Sequence, residues 1–142
     1  MIYTIGYGSR AKEELIDLLK MNGIELVIDI RRWPTSKLEF YKKENLSKIL
    51  KEHGIEYVWL GYELGGFRKG GYGEYMKKDE FRSGIEALMS LASSKRVCLM
   101  CREVSPRGCH RRLIASHLLE RGIRTAHIIS KEKFIYEEGS SK

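Results

Sequence analysis

The sequence predicts an α/β fold, a three-layer α/β/α sandwich with about five mainly parallel strands and a site at the strand carboxyl ends. Three observations predict it. Short apolar runs alternate with segments of helical periodicity along the chain, which is the pattern of βαβ units. The runs are apolar at successive positions, as in Val97-Cys98-Leu99-Met100-Cys101, so both faces of each strand are to be covered. Clusters of polar and basic residues directly follow the strands, and in open parallel sheets the ligand crevice lies at the strand carboxyl ends.

Ile2 to Ile5 is a β-type run that ends at Gly6. Ala11 to Met21 carries Leu15, Ile16, Leu18 and Leu19 at helical spacing, and Asn22-Gly23 ends it. Leu26-Val27-Ile28 forms a buried strand that leads into Asp29-Ile30-Arg31. Glu44 to His53 reads as a helix stopped by Gly54, and Ile55 to Leu60 as a third strand. Asp79 to about Ser93 is a helix through Phe81, Ile85, Leu88 and Leu91. Arg96 to Cys101 is a fourth strand, Cys109 to Arg121 a helix capped by Gly122, and Thr125 to Ile129 a fifth strand. Phe134-Ile135-Tyr136 is an edge strand or a packed tail. The whole reads as a single domain over residues 1–136, with a frayed tail over residues 137–142. Two stretches exceed ordinary connections, Arg32 to Lys43 and the Gly- and Tyr-rich Gly61 to Lys78. Long loops in compact domains are usually functional or disordered, and the aromatic content of the second favours a lid.

Length and composition narrow the function. The chain has 142 residues, enough for one core, and no run approaches a membrane span. Its 26 Lys and Arg against 19 Asp and Glu give a net charge of +7. A basic surface suits anionic partners, here an anionic small molecule or nucleic acid. Three cysteines, Cys98, Cys101 and Cys109, with no signal peptide, suit a reducing cytoplasmic setting. The oligomeric state is not encoded in any pattern of the sequence.

The polar clusters are then read strand by strand. After the first come Gly6, Gly8 and Ser9; the glycines let backbone amides approach an anion, and Ser9 can cap the next helix. After the second, Asp29 and Arg31 fall on one side of the strand end. They form either a structural ion pair or a carboxylate held ionised for acid–base work. Arg32 adds charge, and Trp33 could stack on a base or ring.

The fourth strand ends in Leu99-Met100-Cys101-Arg102-Glu103-Val104-Ser105-Pro106-Arg107-Gly108-Cys109-His110-Arg111. A thiol facing a helix N-terminus and several arginines is expected to have a lowered pKa, with Cys109 in the first helical turn. His110 offers a general base and Arg111 an anion clamp. Cys101 and Arg107 satisfy the C-x5-R spacing of cysteine phosphatases, although Pro106 removes one backbone donor and Glu103 adds negative charge. Cys101 with Cys109 is alternatively a redox pair. With His110, and His127 or Glu103, they could hold a metal, though without the usual paired-ligand spacing. Both thiols packing as small apolar groups is the plain alternative. Cys98 sits mid-strand and reads as core; His127 reads equally as core or site. No cofactor is required by the sequence, and a divalent metal is admitted without being demanded.

These pieces in this order resemble the domain-of-unknown-function 488 family. The matching segments are Thr4-Ile5-Gly6, Asp29-Ile30-Arg31, Pro34-x-Ser36, Leu64-Gly65-Gly66, Cys101-x-Glu103, Cys109-His110-Arg111 and His127-Ile128. The resemblance implies a small α/β protein of prokaryotes with a site at the strand ends, and it names no reaction. It adds Ser36, Gly65 and Gly66 to the binding residues. The chain departs from the family at Tyr7, where His is frequent, and at Arg102, where a small residue is usual.

The expectation is therefore an enzyme acting on a phosphate-bearing substrate, nucleotide or nucleic acid. Asp29, Glu103, His110 and Cys101 are its catalytic candidates. Gly6, Gly8, Ser9, Arg31, Ser36, Gly65, Gly66, Cys109 and Arg111 are its anion-binding candidates. The alternatives are a thiol-dependent enzyme using Cys101 and Cys109, by redox, phosphatase-like or sulfur-transfer chemistry, and a non-catalytic nucleic-acid-binding module.

Overall fold

The computed structural model describes residues 1–137. Six strands form one sheet: β1 (Ile2–Gly6), β2 (Leu26–Asp29), β3 (Glu56–Trp59), β4 (Val97–Cys101), β5 (Thr125–Ile128) and β6 (Phe134–Glu137). Their order across the sheet is β3-β2-β4-β1-β5-β6. The first five run parallel, and β6 pairs antiparallel with β5. The Phe134 run is thus an edge strand, and the sheet has six strands where the sequence suggested about five. Glu137, which the sequence assigns to the tail, closes β6, and the other residues of that expected tail, 138–142, lie outside the described residues.

Helices cover both faces, and strand parity decides which residues they meet. Helices α1 (Lys12–Met21) and α2 (Lys43–Glu52) bury Leu15, Leu18, Leu19, Leu46 and Leu50 against Ile5, Val27, Cys98 and Met100. The long stretch after β3 contains two short helices, α3 (Gly61–Leu64) and α4 (Tyr72–Tyr75). With α5 (Asp79–Ser94) and α6 (Arg111–Glu120) they cover the other face, where Leu64, Tyr75, Phe81, Ile114 and Leu118 meet Leu26, Ile28, Val97, Leu99 and Cys101. Cys98 is core as expected, and Cys101 faces α6 because it lies two and four residues beyond Leu99 and Val97. Among the described residues no helix is long and apolar enough to cross a membrane.

Two local expectations are corrected. The residue that precedes α1 is Ala11, with no side-chain cap, so exposed Ser9 caps nothing. Cys109 is not in the first turn of α6: it has extended backbone, φ −133° and ψ 143°, after a 3-10 turn at Pro106–Gly108. Helix α6 starts two residues later than expected, with His110 at its N-cap. The late start follows from Pro106, which starts the 3-10 turn and sends the chain through an extended Cys109.

Candidate active site

A cleft of about 350 Å³ opens at the carboxyl ends of β1, β2 and β4. Cys101, Glu103, Cys109, His110, Arg31 and Gly66 reach it from elements far apart in sequence. The end of β4 sets its floor. Cys101 Sγ and Cys109 Sγ are 2.8 Å apart, both thiols free and largely buried. That is less than an ångström longer than the ~2.05 Å of a disulfide bond.

Arg111 fixes this floor from beneath. Its side chain is fully buried. Nη1 donates to Cys101 Sγ (3.1 Å) and to the Glu103 carbonyl (2.6 Å), and Nη2 donates to the Val104 carbonyl (2.6 Å). The guanidinium therefore clamps the turn and places a cation against one thiol. Burial acts to raise the Cys101 pKa, but the S–H donated by Cys109 and the charge and hydrogen bond of Arg111 outweigh it, and the net shift is downward. The same hydrogen bond, then burial, pushes Cys109 up, and burial pushes Cys98 up. Of the three thiols, Cys101 is the one whose pKa is lowered.

His110 completes the floor. Its Nε2 lies 3.2 Å from the Ile30 carbonyl, and its Nδ1 lies 3.7 Å from Cys109 Sγ. A carbonyl only accepts, so Nε2 carries the proton and the Nδ1 lone pair faces Cys109. Burial, helped by the charges of Arg111 and Arg68, lowers His110 to about 4, so the ring is neutral at pH 7. Gly66 permits the close approach of the loop that covers it, since a Cβ there would meet the His110 ring at 3.0 Å.

The other polar residues are largely occupied. Asp29 is fully buried, and its carboxylate receives Arg31 Nε (2.9 Å), Arg31 Nη2 (2.8 Å), the Arg31 amide (3.0 Å) and the Tyr57 hydroxyl (2.5 Å). Arg31 Nη1 goes to the carbonyls of Tyr41 and Thr35. This is the structural ion pair of the two readings, and it brings the Arg31 guanidinium to the cleft wall beside Tyr7. Burial alone would lower the Arg31 pKa, but its hydrogen bonds and proximity to Asp29 leave it raised.

The first-strand turn is also spent on structure. The amides of Tyr7 and Gly8 donate to the carbonyls of Cys101 and Arg102 at 3.0 and 2.7 Å. A Cβ on Gly6 would lie 1.7 Å from the Glu103 carbonyl oxygen. The turn thus braces the cysteine loop. Gly8 and Ser36 line an adjoining cleft instead, and Ser9 and Gly65 line neither cleft. Gly65 is needed where it packs on Arg32, its Cβ position lying 2.6 Å from the Arg32 Cβ. Arg107 of the C-x5-R spacing is exposed and outside the cleft lining, and the guanidinium beside Cys101 comes from Arg111.

Sequence reasoning missed Tyr57 and Tyr72. Parallel pairing sets Val27 opposite Tyr57 and Asp29 opposite Trp59, so the Tyr57 side chain shares Asp29's side and reaches it. Tyr72 lies on the cleft wall, its ring 5.2 Å from that of His110 and its hydroxyl donating to the Leu64 carbonyl. Exposed Phe67 was part of the expected lid without a role of its own. His127 is core: fully buried and hydrogen-bonded to Thr4 Oγ1 at 2.6 Å. Among the described residues, Cys101, Glu103 and Cys109 are the one group whose ligand atoms converge within 4.8 Å as a metal would need.

The family model described as Domain of unknown function DUF488 matches residues 11–118. No curated protein matches the chain. Two crystal structures, at 1.40 and 1.60 Å, of a Shewanella putrefaciens CN-32 protein described as "Putative phosphatase (DUF442)" are similar to it, each with TM-score 0.48 and 18% identity over 84% of this chain. The chain spans just under two thirds of that protein, 66% and 63% in the two structures.

Proposed function

We propose, for a chain that belongs to the family described as Domain of unknown function DUF488, a thiol-dependent enzyme that reduces a disulfide-type bond in its substrate with the Cys101–Cys109 pair. One observation carries this reading: two free thiols 2.8 Å apart on the floor of a cleft, with a buried guanidinium 3.1 Å from one of them. A buried cation against a thiol favours the nucleophilic thiolate.

The steps follow from the positions. Cys101 thiolate attacks one sulfur of the substrate S–S bond. A mixed disulfide forms, and the other substrate sulfur leaves as a thiolate that takes a proton from water. Cys101 has then lost its negative charge, and the Cys109 S–H turns to the Nδ1 lone pair of His110. Cys109 attacks Cys101 Sγ as its proton passes to Nδ1. The Cys101–Cys109 disulfide forms, and the second substrate sulfur leaves, taking that proton. The substrate is reduced by two electrons and the dithiol is oxidised. Two equivalents of a small thiol reset the pair by successive exchange, the first forming a mixed disulfide and the second displacing it, and leave as their own disulfide.

In this reading Arg111 and Asp29 are positioning residues. Phosphatase chemistry is less well supported: the carbonyls of Glu103 and Val104 turn toward Arg111, and Arg107 lies outside the cleft lining.

Turnover of 2-hydroxyethyl disulfide in the presence of dithiothreitol, above the uncatalysed rate, tests the reading. Cys101→Ser is expected to remove activity. Cys109→Ser is expected to trap a mixed disulfide on Cys101, visible as added mass that dithiothreitol removes. Wild-type turnover equal to background, or full activity in Cys101→Ser, would contradict it. Zinc bound by the reduced wild type at stoichiometry, with no disulfide reductase activity, would assign the thiols to a metal instead.

A further inference from the structure

We infer that the mouth of this cleft is a nucleotide-binding platform, so that the substrate reduced at Cys101 presents a nucleotide to Trp33 and Phe67. The inference takes the thiol cleft as the reacting site and adds its substrate class.

Trp33 and Phe67 are the two most exposed large hydrophobic residues of the chain's described part, 59% and 83% exposed, and both line the cleft. Their ring centroids are 5.6 Å apart at 41°. Arg32 holds the pair in place. Its guanidinium lies over the Trp33 ring, 5.2 Å from the centroid, and Nη1 donates to the Phe67 carbonyl at 2.7 Å. Phe67 has φ 60°, the one non-glycine residue among those described with a left-handed backbone. A bulky residue rarely takes that conformation without cause. Strain of this kind collects at binding sites. Here it holds a phenylalanine outward, where water gives it nothing.

The remaining surface supplies the complementary charge. An adjoining cleft of about 450 Å³ shares Tyr7, Thr35 and Arg102 with the first and adds Gly8, Ser36 and Lys37. Arg102 is exposed at the junction of the two. Exposed Glu103 is the carboxylate facing the first cleft, and the second has no acidic residue in its lining. A ligand that fits both features has a flat π-face and, a few bonds away, an anionic group. A nucleotide has both, and base stacking on aromatic side chains accepts any base. A sulfate or a simple sugar phosphate would leave the rings unused, and an uncharged aromatic compound would leave Arg102 and Lys37 unused.

Quenching of tryptophan fluorescence in the reduced wild-type protein at low salt tests this. The probes are adenosine 5′-monophosphate, ribose 5-phosphate and a single-stranded eight-base oligonucleotide. The expected result is saturable quenching by the nucleotide, with ribose 5-phosphate bound at least ~10-fold more weakly. Trp33→Ala should abolish the quenching, leaving the signal of Trp59, whose indole donates to the Arg31 carbonyl. Phe67→Asn, which keeps a residue tolerant of the left-handed backbone, should weaken binding ~10-fold with no loss of thermal stability. Tighter, steeply salt-dependent binding of the oligonucleotide would identify the ligand as a unit of a strand, and equal binding would identify it as a free nucleotide or a nucleotide-tailed substrate; either supports the platform. No saturable binding of nucleotide or oligonucleotide, or equal affinity in Trp33→Ala by calorimetry, would overturn it. Alkylation of Cys101 in the same wild-type sample keeps the readings apart. Reactive Cys101 without nucleotide binding overturns the platform alone, whereas nucleotide binding with inert Cys101 upholds the platform and overturns the thiol chemistry.

Discussion

Arg111 Nη1 lies 3.1 Å from Cys101 Sγ, ten residues away in sequence, while the same guanidinium holds the carbonyls of Glu103 and Val104. One side chain therefore shapes the turn and sets a cation against the thiol it presents. Arg111→Met should remove both effects. Two half-buried carbonyls lose their donor, which costs about 2–4 kcal/mol, read from the urea midpoint. Cys101 should then titrate at higher pH than in the wild type, measured by its alkylation rate against pH. Arg111→Lys restores charge without the planar fork, and should recover part of the thiolate shift and little of the stability.

The ion pair of Asp29 and Arg31 should behave as structure. Asp29→Asn leaves a buried guanidinium without its counter-charge, and a loss of about 3–5 kcal/mol is expected. Tyr57→Phe removes the single hydroxyl at Oδ2 and should cost about 1 kcal/mol. Glu103→Gln changes an exposed side chain and should leave the alkylation rate of Cys101 within about twofold of wild type. Loss of all activity in Glu103→Gln, with Asp29→Asn still folded and active, would instead restore acid–base roles to the carboxylates.

Two histidines tie stability to pH. Burial lowers His110 to about 4 and His127 to about 4, with the ordinary value near 6.5 in the unfolded chain. Between those values the unfolded state binds protons that the folded state does not, so stability rises with pH there. It should be complete above about pH 6.5 and fall as pH drops toward 4, by on the order of 3 kcal/mol per histidine. Urea midpoints from pH 4 to 8 check this, and His127→Gln should flatten part of the slope. Glu137 Oε1 stands 3.6 Å from His127 Nε2, a contact that becomes an ion pair only once the ring is charged.

Gly6 is required by packing. A methyl there would sit 1.7 Å from the Glu103 carbonyl oxygen and 2.2 Å from its carbon. Gly6→Ala should lower stability by at least about 3 kcal/mol and raise the pH at which Cys101 titrates, because it pushes the cysteine loop off Arg111.

Much of the fold is legible in the sequence because the strands are covered on both faces. Val97 to Cys101 has no polar residue to hide, and Ala11 to Met21 shows a clear helical stripe. Ends were less legible. Cys109 has the sequence context of a first helical turn, but Pro106 sets a 3-10 turn before it. Several positions that converge on the cleft, among them Arg31, Cys101, Glu103 and His110, were legible too, since they follow the strands, whereas Tyr72 was not. Their roles were not, because a role depends on which partners already occupy a group. Arg31 and Asp29 satisfy one another, Arg111 points beneath the turn, and the amides of Tyr7 and Gly8 are taken by β4. Strand alternation allows the first of those pairings as one of two readings, and the other two have no sequence signature. The two thiols, eight residues apart across an irregular turn, were one of several pairings open in the sequence, and the fold brings them into contact.

The rate of alkylation of each cysteine by iodoacetamide, followed by peptide mass spectrometry from pH 5 to 10, tests the central claim most directly. Cys101 should react first, with a midpoint below the ~8.5 of an ordinary thiol, while Cys98 and Cys109 lag at neutral pH. Mild oxidation by diamide should join Cys101 to Cys109 and abolish the fast phase. A Cys101 midpoint at or above 8.5, or labelling no faster than that of Cys98, would contradict a catalytic thiolate at this site.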